Sequence, residues 1–202
     1  MACAALLVTF SATWATAAPI RILVLGDSLA SGYGLEAGKS FPARLELVLR
    51  QAGHDIQILN AGVPGDTTAG GLARLDWSLA GDPHVVVVEL GGNDGLRGID
   101  PRSTYTNLDA ILTRLKSRDL PVLLTGMIAP PNMGNNYVEV FNSVFPLLAQ
   151  RHGVMFYPFI LDGVAGQPEL LQDDGIHPNQ PGVTIMVDRL MPHVVRLIVT
   201  IE

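Results

Sequence analysis

Three side chains in the sequence could together carry out nucleophilic acyl transfer: Ser28, Asp174 and His177. A serine hydroxyl is a weak nucleophile at neutral pH, so it needs a base that takes its proton and a third group that orients this base. Asp174 precedes His177 by three residues, a spacing that suits a tight turn in which the carboxylate accepts a hydrogen bond from Nδ1. The other ring nitrogen, Nε2, then remains free for Ser28. Asp173 could replace Asp174 only if the turn differed by one residue.

Acyl transfer also needs donors for the negative charge that develops on the substrate oxygen, and Gly65 and Asn93 are candidates. A glycine lets its backbone N–H approach the substrate without a Cβ in the way, and an asparagine side chain can donate through its amide. Both residues also have ordinary structural interpretations as parts of turns. Ser28, in the same way, could simply cap a helix. Only the combination of these residues distinguishes a catalytic site from a set of turns.

The elements that must position these residues alternate between apolar runs and segments of helical spacing. Short apolar runs bounded by turn residues predict buried strands at residues 20–25, 56–59, 85–90, 122–124 and 154–156. Helical periodicity is found at residues 43–52, 72–80, 105–118, 137–151 and 183–199. Strands that alternate with helices are typical of a parallel sheet covered on both faces. We therefore predict a three-layer α/β/α, flavodoxin-like fold with a central parallel sheet of about five strands.

Polar and glycine-rich segments follow the predicted strands, at the edge where open α/β sheets bind their ligands. They are residues 26–29 after the first strand, 62–67 after the second, 91–94 after the third and 173–178 after the fifth. These segments contain all of the candidate residues. The sequence therefore predicts that the candidate residues meet at one edge of the sheet.

These four segments resemble, in the same order, the four sequence blocks of the SGNH hydrolases, also called the GDSL family. The matching residues are GDSL at 26–29, GDT at 65–67, GGND at 91–94 and DGIHP at 174–178. Longer stretches, at 71–75 and 89–98, are similar to the thioesterases, lysophospholipases and arylesterases of this family.

The resemblance implies a flavodoxin-like fold that needs no cofactor. It implies that Ser28 is the nucleophile and that Asp174 and His177 complete the triad. By the same resemblance, Gly65 and Asn93 form the oxyanion hole together with the Ser28 amide.

The sequence departs from the family at Pro64, where relatives usually carry a small polar residue. A proline stiffens the backbone before the oxyanion glycine. The segment at residues 129–136, rich in proline, glycine and asparagine, fits a family loop over the acyl site, and it fits a plain exposed loop equally well. Its role in selecting acyl length stays open. A classical α/β-hydrolase is disfavoured, because Ala30 stands where the G-x-S-x-G elbow has its last glycine.

Residues 1–17 are predicted to be a signal peptide, and residues 18–202 a single SGNH hydrolase domain. The apolar stretch at residues 4–10 is followed by small residues ending in an A-x-A pattern at 15–17, although no basic residues precede it. We therefore expect a periplasmic or secreted protein without a stable membrane span in its mature form. The only cysteine, Cys3, lies in this segment, so we expect no disulfide in the mature chain.

The expected partner is a small-molecule acyl ester or thioester. A net charge of −6, without a long run of lysine or arginine, provides no electrostatic basis for binding nucleic acid. The histidines other than His177 have no partners at metal-ligand spacing, so we expect no metal. The natural substrate, the acyl-length preference and the oligomeric state are left open by the sequence.

Two other functions fit the same pattern. A carbohydrate O-acetylesterase could use the same triad, although the low aromatic content of 6% argues against a surface for stacking sugars. A non-catalytic acyl-binding protein would have lost a triad residue, and none is lost here. The sequence thus favours a serine esterase or thioesterase that works through an acyl-enzyme.

Overall fold

The computed structural model describes residues 18–201, and its centre is a parallel sheet of five strands. The strands are β1 (Ile20–Gly26), β2 (Ile56–Gly62), β3 (Val85–Glu89), β4 (Val122–Thr125) and β5 (Met155–Tyr157). Their order in the sheet is β2-β1-β3-β4-β5, and each neighbouring pair is parallel. This order is that of the flavodoxin-like fold. The predicted fold class is therefore confirmed.

Strand β3 and the last part of β1 are continuous apolar runs, because both faces of the sheet are covered there. Every residue of β3 is buried, and so are the last five residues of β1. The one charged residue among the five of β3 is Glu89, at its carboxyl end, which has no exposed surface. The sheet thus forms an apolar core, and the buried carboxyl group of Glu89 lies at its carboxyl edge, next to β1.

Eight α-helices accompany the sheet in the described residues. They are α1 (Ser28–Ser31), α2 (Phe41–Gln51), α3 (Thr68–Ala73), α4 (Leu75–Ser78), α5 (Gly92–Leu96), α6 (Pro101–Lys116), α7 (Asn135–His152) and α8 (Gln180–Val199). Short 3-10 turns occur at Leu79–Gly81, Pro131–Met133 and Pro168–Leu170. Helix α2 packs against α8, while α6 packs against α3 and α7. These two helix layers enclose the sheet.

The helix predicted at residues 72–80 is divided in the structure. Helix α3 starts earlier, because the Thr67 side chain accepts a hydrogen bond from the Gly70 N–H and caps it. Arg74 then separates α3 from α4, with a backbone conformation (φ −103°, ψ 5°) that interrupts the helix. Its guanidinium donates to the Gly26 carbonyl at 2.8 Å and to the Asp66 carboxylate at 2.6 Å. Contacts with the loops at the ends of β1 and β2 thus interrupt the helical periodicity.

Strand β2 lies on one side of β1, and β3, the next strand along the chain, lies on the other side. A crevice opens at such a switch point, outside the carboxyl ends of the two strands. Ser28 follows β1 and Asn93 follows β3, so both lie at this crevice.

Between Ala18 and Ile201, none of the helices combines the length and the apolar character needed to cross a lipid bilayer. The predicted signal peptide, residues 1–17, lies outside the described residues.

Candidate active site

The structure brings Ser28, His177 and Asp174 together in a hydrogen-bonded chain. Ser28 is the first residue of α1, directly after the buried strand β1, and its hydroxyl group is partly buried. His177 Nε2 lies 2.9 Å from Ser28 Oγ, and His177 Nδ1 lies 2.6 Å from Asp174 Oδ2. A neutral imidazole that donates from Nδ1 to the carboxylate presents the lone pair of Nε2 to the hydroxyl group. This is the arrangement in which a histidine can take the serine proton.

A tight turn fixes the carboxylate that faces the imidazole. Asp174 Oδ1 accepts hydrogen bonds from the N–H groups of Ile176 and His177, at 2.9 and 3.0 Å. Gly175 makes this turn possible through its positive φ of 68°, a conformation that glycine adopts without strain. Asp173 is exposed, and in the described chain no hydrogen bond joins it to His177. The structure therefore places Asp174, of the two neighbouring carboxylates, against the ring.

Hydrogen bonds keep Asp174 ionised. Desolvation alone would raise the pKa of this carboxyl group, but the His177 ring and the N–H groups of His177 and Ile176 lower it to about 2. A lowered pKa in the folded state means that the charge is present above the ordinary aspartate range and is lost only as the pH falls toward 2. Asp174 therefore carries its negative charge throughout the pH range in which an imidazole gains or loses a proton.

Two backbone N–H groups at the mouth of the crevice are free to bind an anion. Among residues 18–201, neither the Ser28 N–H nor the Gly65 N–H donates to a protein acceptor. Gly65 has a positive φ of 78°, so a side chain there would be strained. Both residues line the same cavity as His177. They can therefore donate to a negative charge that forms beside Ser28.

The Asn93 side chain is oriented from both ends. Its Nδ2 donates to Asp27 Oδ2 at 3.2 Å, and its Oδ1 accepts from Arg97 Nη2 at 3.3 Å. The same Arg97 nitrogen donates to the Gly65 carbonyl at 2.9 Å and so links the two candidate oxyanion residues. An amide nitrogen carries two hydrogens, and only one of them is used by Asp27. The second hydrogen of Asn93 Nδ2 is left for a ligand in the cavity.

Two buried carboxyl groups lie directly beneath these residues. Asp27 is 2% exposed and Glu89 is fully buried. Asp27 braces its own loop, because its Oδ1 accepts a hydrogen bond from the Leu29 N–H at 3.0 Å. The contact between Asp27 and Asn93, and the role of Glu89, were not predicted. A glutamate directly after a run of four valines was the signal for Glu89, because such a position is expected to be buried.

A cavity of about 780 Å³ connects the candidate residues to a largely apolar groove. Ser28, Gly65, Asn93, Asp174 and His177 all line it. Its apolar walls include Leu29, Met127, Ile128, Phe141, Phe159 and Leu161. A cavity of this size and character suits a small molecule with an apolar portion.

The segment at residues 129–136 contributes only its first part to this cavity. Ala129, Pro130 and Pro131 are wall residues, whereas the rest of the segment is not. Sequence reasoning missed most of the walls. Met127 and Ile128 could have been found from their position directly after β4, at the carboxyl edge of the sheet.

The described residues contain no group of three or more histidine, cysteine, aspartate or glutamate side chains placed to hold a metal ion.

An α/β sheet with a serine, a histidine and an aspartate joined in this way at its carboxyl edge defines the class of serine hydrolases. The chain belongs to the GDSL-like lipase/acylhydrolase family, whose family model matches residues 24–185. It is a hydrolase of ester bonds. The family that the four sequence blocks predict is thus confirmed.

Known proteins of this family resemble the chain over most of its length. Esterase TesA from Pseudomonas aeruginosa is 40% identical over 177 residues, which cover 87% of this chain and 88% of the relative. Thioesterase 1/protease 1/lysophospholipase L1 from Escherichia coli is also 40% identical over 177 residues, covering 87% and 84% of the two chains. The crystal structure of AlinE4, an SGNH-hydrolase family esterase, is 44% identical, has a TM-score of 0.77, and the match covers 90% of this chain and 98% of AlinE4.

Proposed function

We propose that the protein hydrolyses carboxylic esters and acyl thioesters through an acyl-enzyme on Ser28. The observation that carries this proposal is the pair of contacts made by the His177 ring, at 2.9 Å to Ser28 Oγ and 2.6 Å to Asp174 Oδ2. The names of the relatives, which include an esterase and a thioesterase, support the same substrate classes.

In the first step, His177 Nε2 takes the proton of Ser28 while Ser28 Oγ attacks the carbonyl carbon of the substrate. The imidazolium that forms is stabilised by Asp174, which stays ionised. The carbonyl oxygen becomes an oxyanion. It accepts hydrogen bonds from the N–H groups of Ser28 and Gly65 and from the free hydrogen of Asn93 Nδ2.

In the second step, the tetrahedral intermediate collapses and the leaving group departs with the proton from His177. The leaving group is an alcohol for an ester and a thiol for a thioester. A water molecule, deprotonated by the same imidazole, then attacks the acyl-enzyme. As the second tetrahedral intermediate releases the acid, the imidazolium returns the proton to Ser28 Oγ. The oxyanion donors contact only the carbonyl oxygen, which esters and thioesters share, and the His177 imidazolium can protonate either leaving atom, so one site serves both.

The apolar walls of the cavity favour a substrate with an acyl chain. Each methylene group that is buried contributes about 0.8 kcal/mol, so kcat/KM should rise with acyl length until the groove is filled. We expect this rise in a series of p-nitrophenyl esters, activity on acyl-CoA thioesters, and little activity on acetylated xylan. Strong activity on acetylated xylan alone would favour the O-acetylesterase alternative. No turnover of any of these substrates would favour an acyl-binding protein.

Ile128, half exposed at the wall of the cavity, provides a variant that tests where the acyl chain lies. Ile128→Ser should lower kcat/KM for long esters several-fold and spare the acetate ester, because we expect a long acyl chain, and not an acetyl group, to contact this wall. Leu147→Ser is the matched control, since Leu147 is equally exposed and lies outside the cavity. An equal loss for short and long esters would contradict the assignment of this groove to the acyl chain.

We also propose that residues 1–17 direct export and are then removed, which makes the mature protein periplasmic or secreted. The apolar stretch and the A-x-A pattern support this proposal. Protein recovered from the periplasm of an expression host should begin at Ala18 by N-terminal sequencing. Protein that retains residues 1–17 and stays in the membrane fraction would contradict it.

A further inference from the structure

The mechanism above does not use the two carboxyl groups buried beneath the oxyanion residues. Asp27 follows β1 and Glu89 ends β3, and the two strands are neighbours in the sheet. The Asp27 N–H donates to Glu89 Oε2 at 3.2 Å, and the two carboxyl groups are close enough to share a hydrogen bond. Glu89 Oε1 is buried and accepts no hydrogen bond from the described residues. Two ionised carboxylates in contact, away from water, repel each other strongly, so the pair holds one proton between them.

The hydrogen bonds of the pair show where this proton lies. Both oxygens of Asp27 already accept from N–H donors, Oδ1 from Leu29 and Oδ2 from Asn93. The free oxygen of the pair is Glu89 Oε1, which can carry the proton and donate it toward Asp27. Glu89 also accepts from the N–H groups of Asp27 and Ala30, but it is fully buried, whereas Asp27 borders the cavity. The negative charge therefore remains on Asp27, because desolvation costs less there.

We propose that protonated Glu89 and ionised Asp27 form a positioning pair that sets the orientation of the Asn93 amide and thereby builds the oxyanion hole. This inference rests on the proposed function of Asn93. Asp27 Oδ2 can accept only from the nitrogen of the Asn93 amide, so it fixes the amide nitrogen on its own side and the amide oxygen toward Arg97. Without this acceptor, only the 3.3 Å contact from Arg97 orients the amide, so a larger fraction of the amide flips, and the flipped oxygen repels the oxyanion.

The charges around Asp27 agree with this arrangement. Burial raises the pKa of Asp27 to about 6, and burial raises the pKa of Glu89 well above its usual value. His177, across the cavity, favours the Asp27 anion, while Asp66 opposes it. Asp66 is itself paired with Arg74 at 2.6 Å. Asp27 thus gains a proton as the pH falls through about 6, and at lower pH it no longer favours the correct amide orientation.

Asp27→Asn is the first test. An amide side chain has one accepting oxygen, so it cannot accept from both Leu29 and Asn93 as the carboxylate does. We expect kcat to fall by about 10- to 100-fold at pH 8, with KM changed less than about twofold, since the loss is confined to the transition state. Because Asp27 gains a proton as the pH falls through about 6, the ratio of kcat/KM of the wild type to that of Asp27→Asn should be about 10 to 100 at pH 8 and should shrink toward one below pH 6.

Asp94→Asn is the matched control for a structural effect of the same substitution. Asp94 is also buried beside Asn93, but its oxygens accept from Thr68 and Thr104. This variant should lower the melting temperature, and its kcat/KM should keep a constant ratio to that of the wild type across the same pH range. If the ratio of the wild type to Asp27→Asn is the same at pH 8 and below pH 6, the positioning role of Asp27 is refuted.

Glu89→Gln tests the shared proton without measuring activity. A raised pKa means that the folded state keeps a proton that the unfolded chain releases, so the stability of the wild type falls as the pH rises above about 5. Glutamine has no such proton. The melting temperature of Glu89→Gln relative to that of the wild type should therefore rise steadily from pH 5 to pH 8. A constant difference would show that Glu89 is ionised in the folded protein and would overturn the proposal, while leaving the role of Ser28 untouched.

Discussion

Replacing Ser28 by alanine should lower kcat/KM by ~10⁴-fold or more, because triad residues act as a unit and the nucleophile has no substitute. The fold should be retained. Ser28 Oγ points toward His177 in the cavity and not into the apolar core, so its loss removes one hydrogen bond at a partly buried site. Ester hydrolysis and thermal unfolding, measured on the same preparation, check both halves of this expectation.

Ser31→Ala is the matched control for this substitution. Ser31 lies in the same short helix, and its hydroxyl group donates to the Ser28 carbonyl at 3.0 Å rather than facing His177. This variant should keep activity within a few-fold of the wild type. The nucleophile assignment would be wrong if Ser28→Ala kept more than a few per cent of the activity.

Asn93→Ala should lower kcat by about 100- to 1,000-fold and leave KM nearly unchanged, since the amide donates only once the oxyanion has formed. This loss corresponds to about 2.7 to 4 kcal/mol of transition-state stabilisation. The factor should be the same for short and long acyl chains, because the oxyanion is common to all of them. A series of p-nitrophenyl esters measures kcat and KM for each length.

Asn132→Ala is a suitable control, because it makes the same change at an exposed position of the 3-10 turn beyond the cavity. Should Asn93→Ala instead raise KM selectively for long chains, Asn93 would be a groove residue. The oxyanion hole would then consist of the N–H groups of Ser28 and Gly65 alone.

The sequence predicts the strands and the site residues where a local pattern determines the structure directly. Near-continuous apolar runs such as Val85–Val88 identified buried parallel strands, because a strand covered on both faces has no polar alternation. Once the strands were identified, the rule that ligands bind at their carboxyl ends placed Ser28, Gly65 and Asn93 at one edge. Asp174 and His177 are three residues apart, so one turn joins them.

Features that depend on contacts between distant residues could not be predicted. The break in the helix at Arg74 follows from hydrogen bonds to Gly26, the last residue of β1, and to Asp66, in the loop after β2. The link from Arg97 to Gly65 joins residues 32 positions apart. The burial of Glu89 can be inferred from the four valines before it, but its contact with Asp27 cannot, because neighbouring strands bring the two residues together. In each case the hydrogen-bond partner is distant in the sequence and is brought close only by the packing of the sheet and its loops. The local sequence therefore does not predict it.

The central claim is that Ser28 is a nucleophile activated by His177, and covalent labelling tests it most directly. An alkyl p-nitrophenyl phosphonate reacts with an activated serine and leaves a stable adduct on its oxygen, which peptide mass spectrometry can locate. We expect one adduct per chain, confined to the peptide that contains Ser28, and formed far more slowly in His177→Ala. An adduct on a different residue, or none in a preparation that still hydrolyses esters, would contradict it.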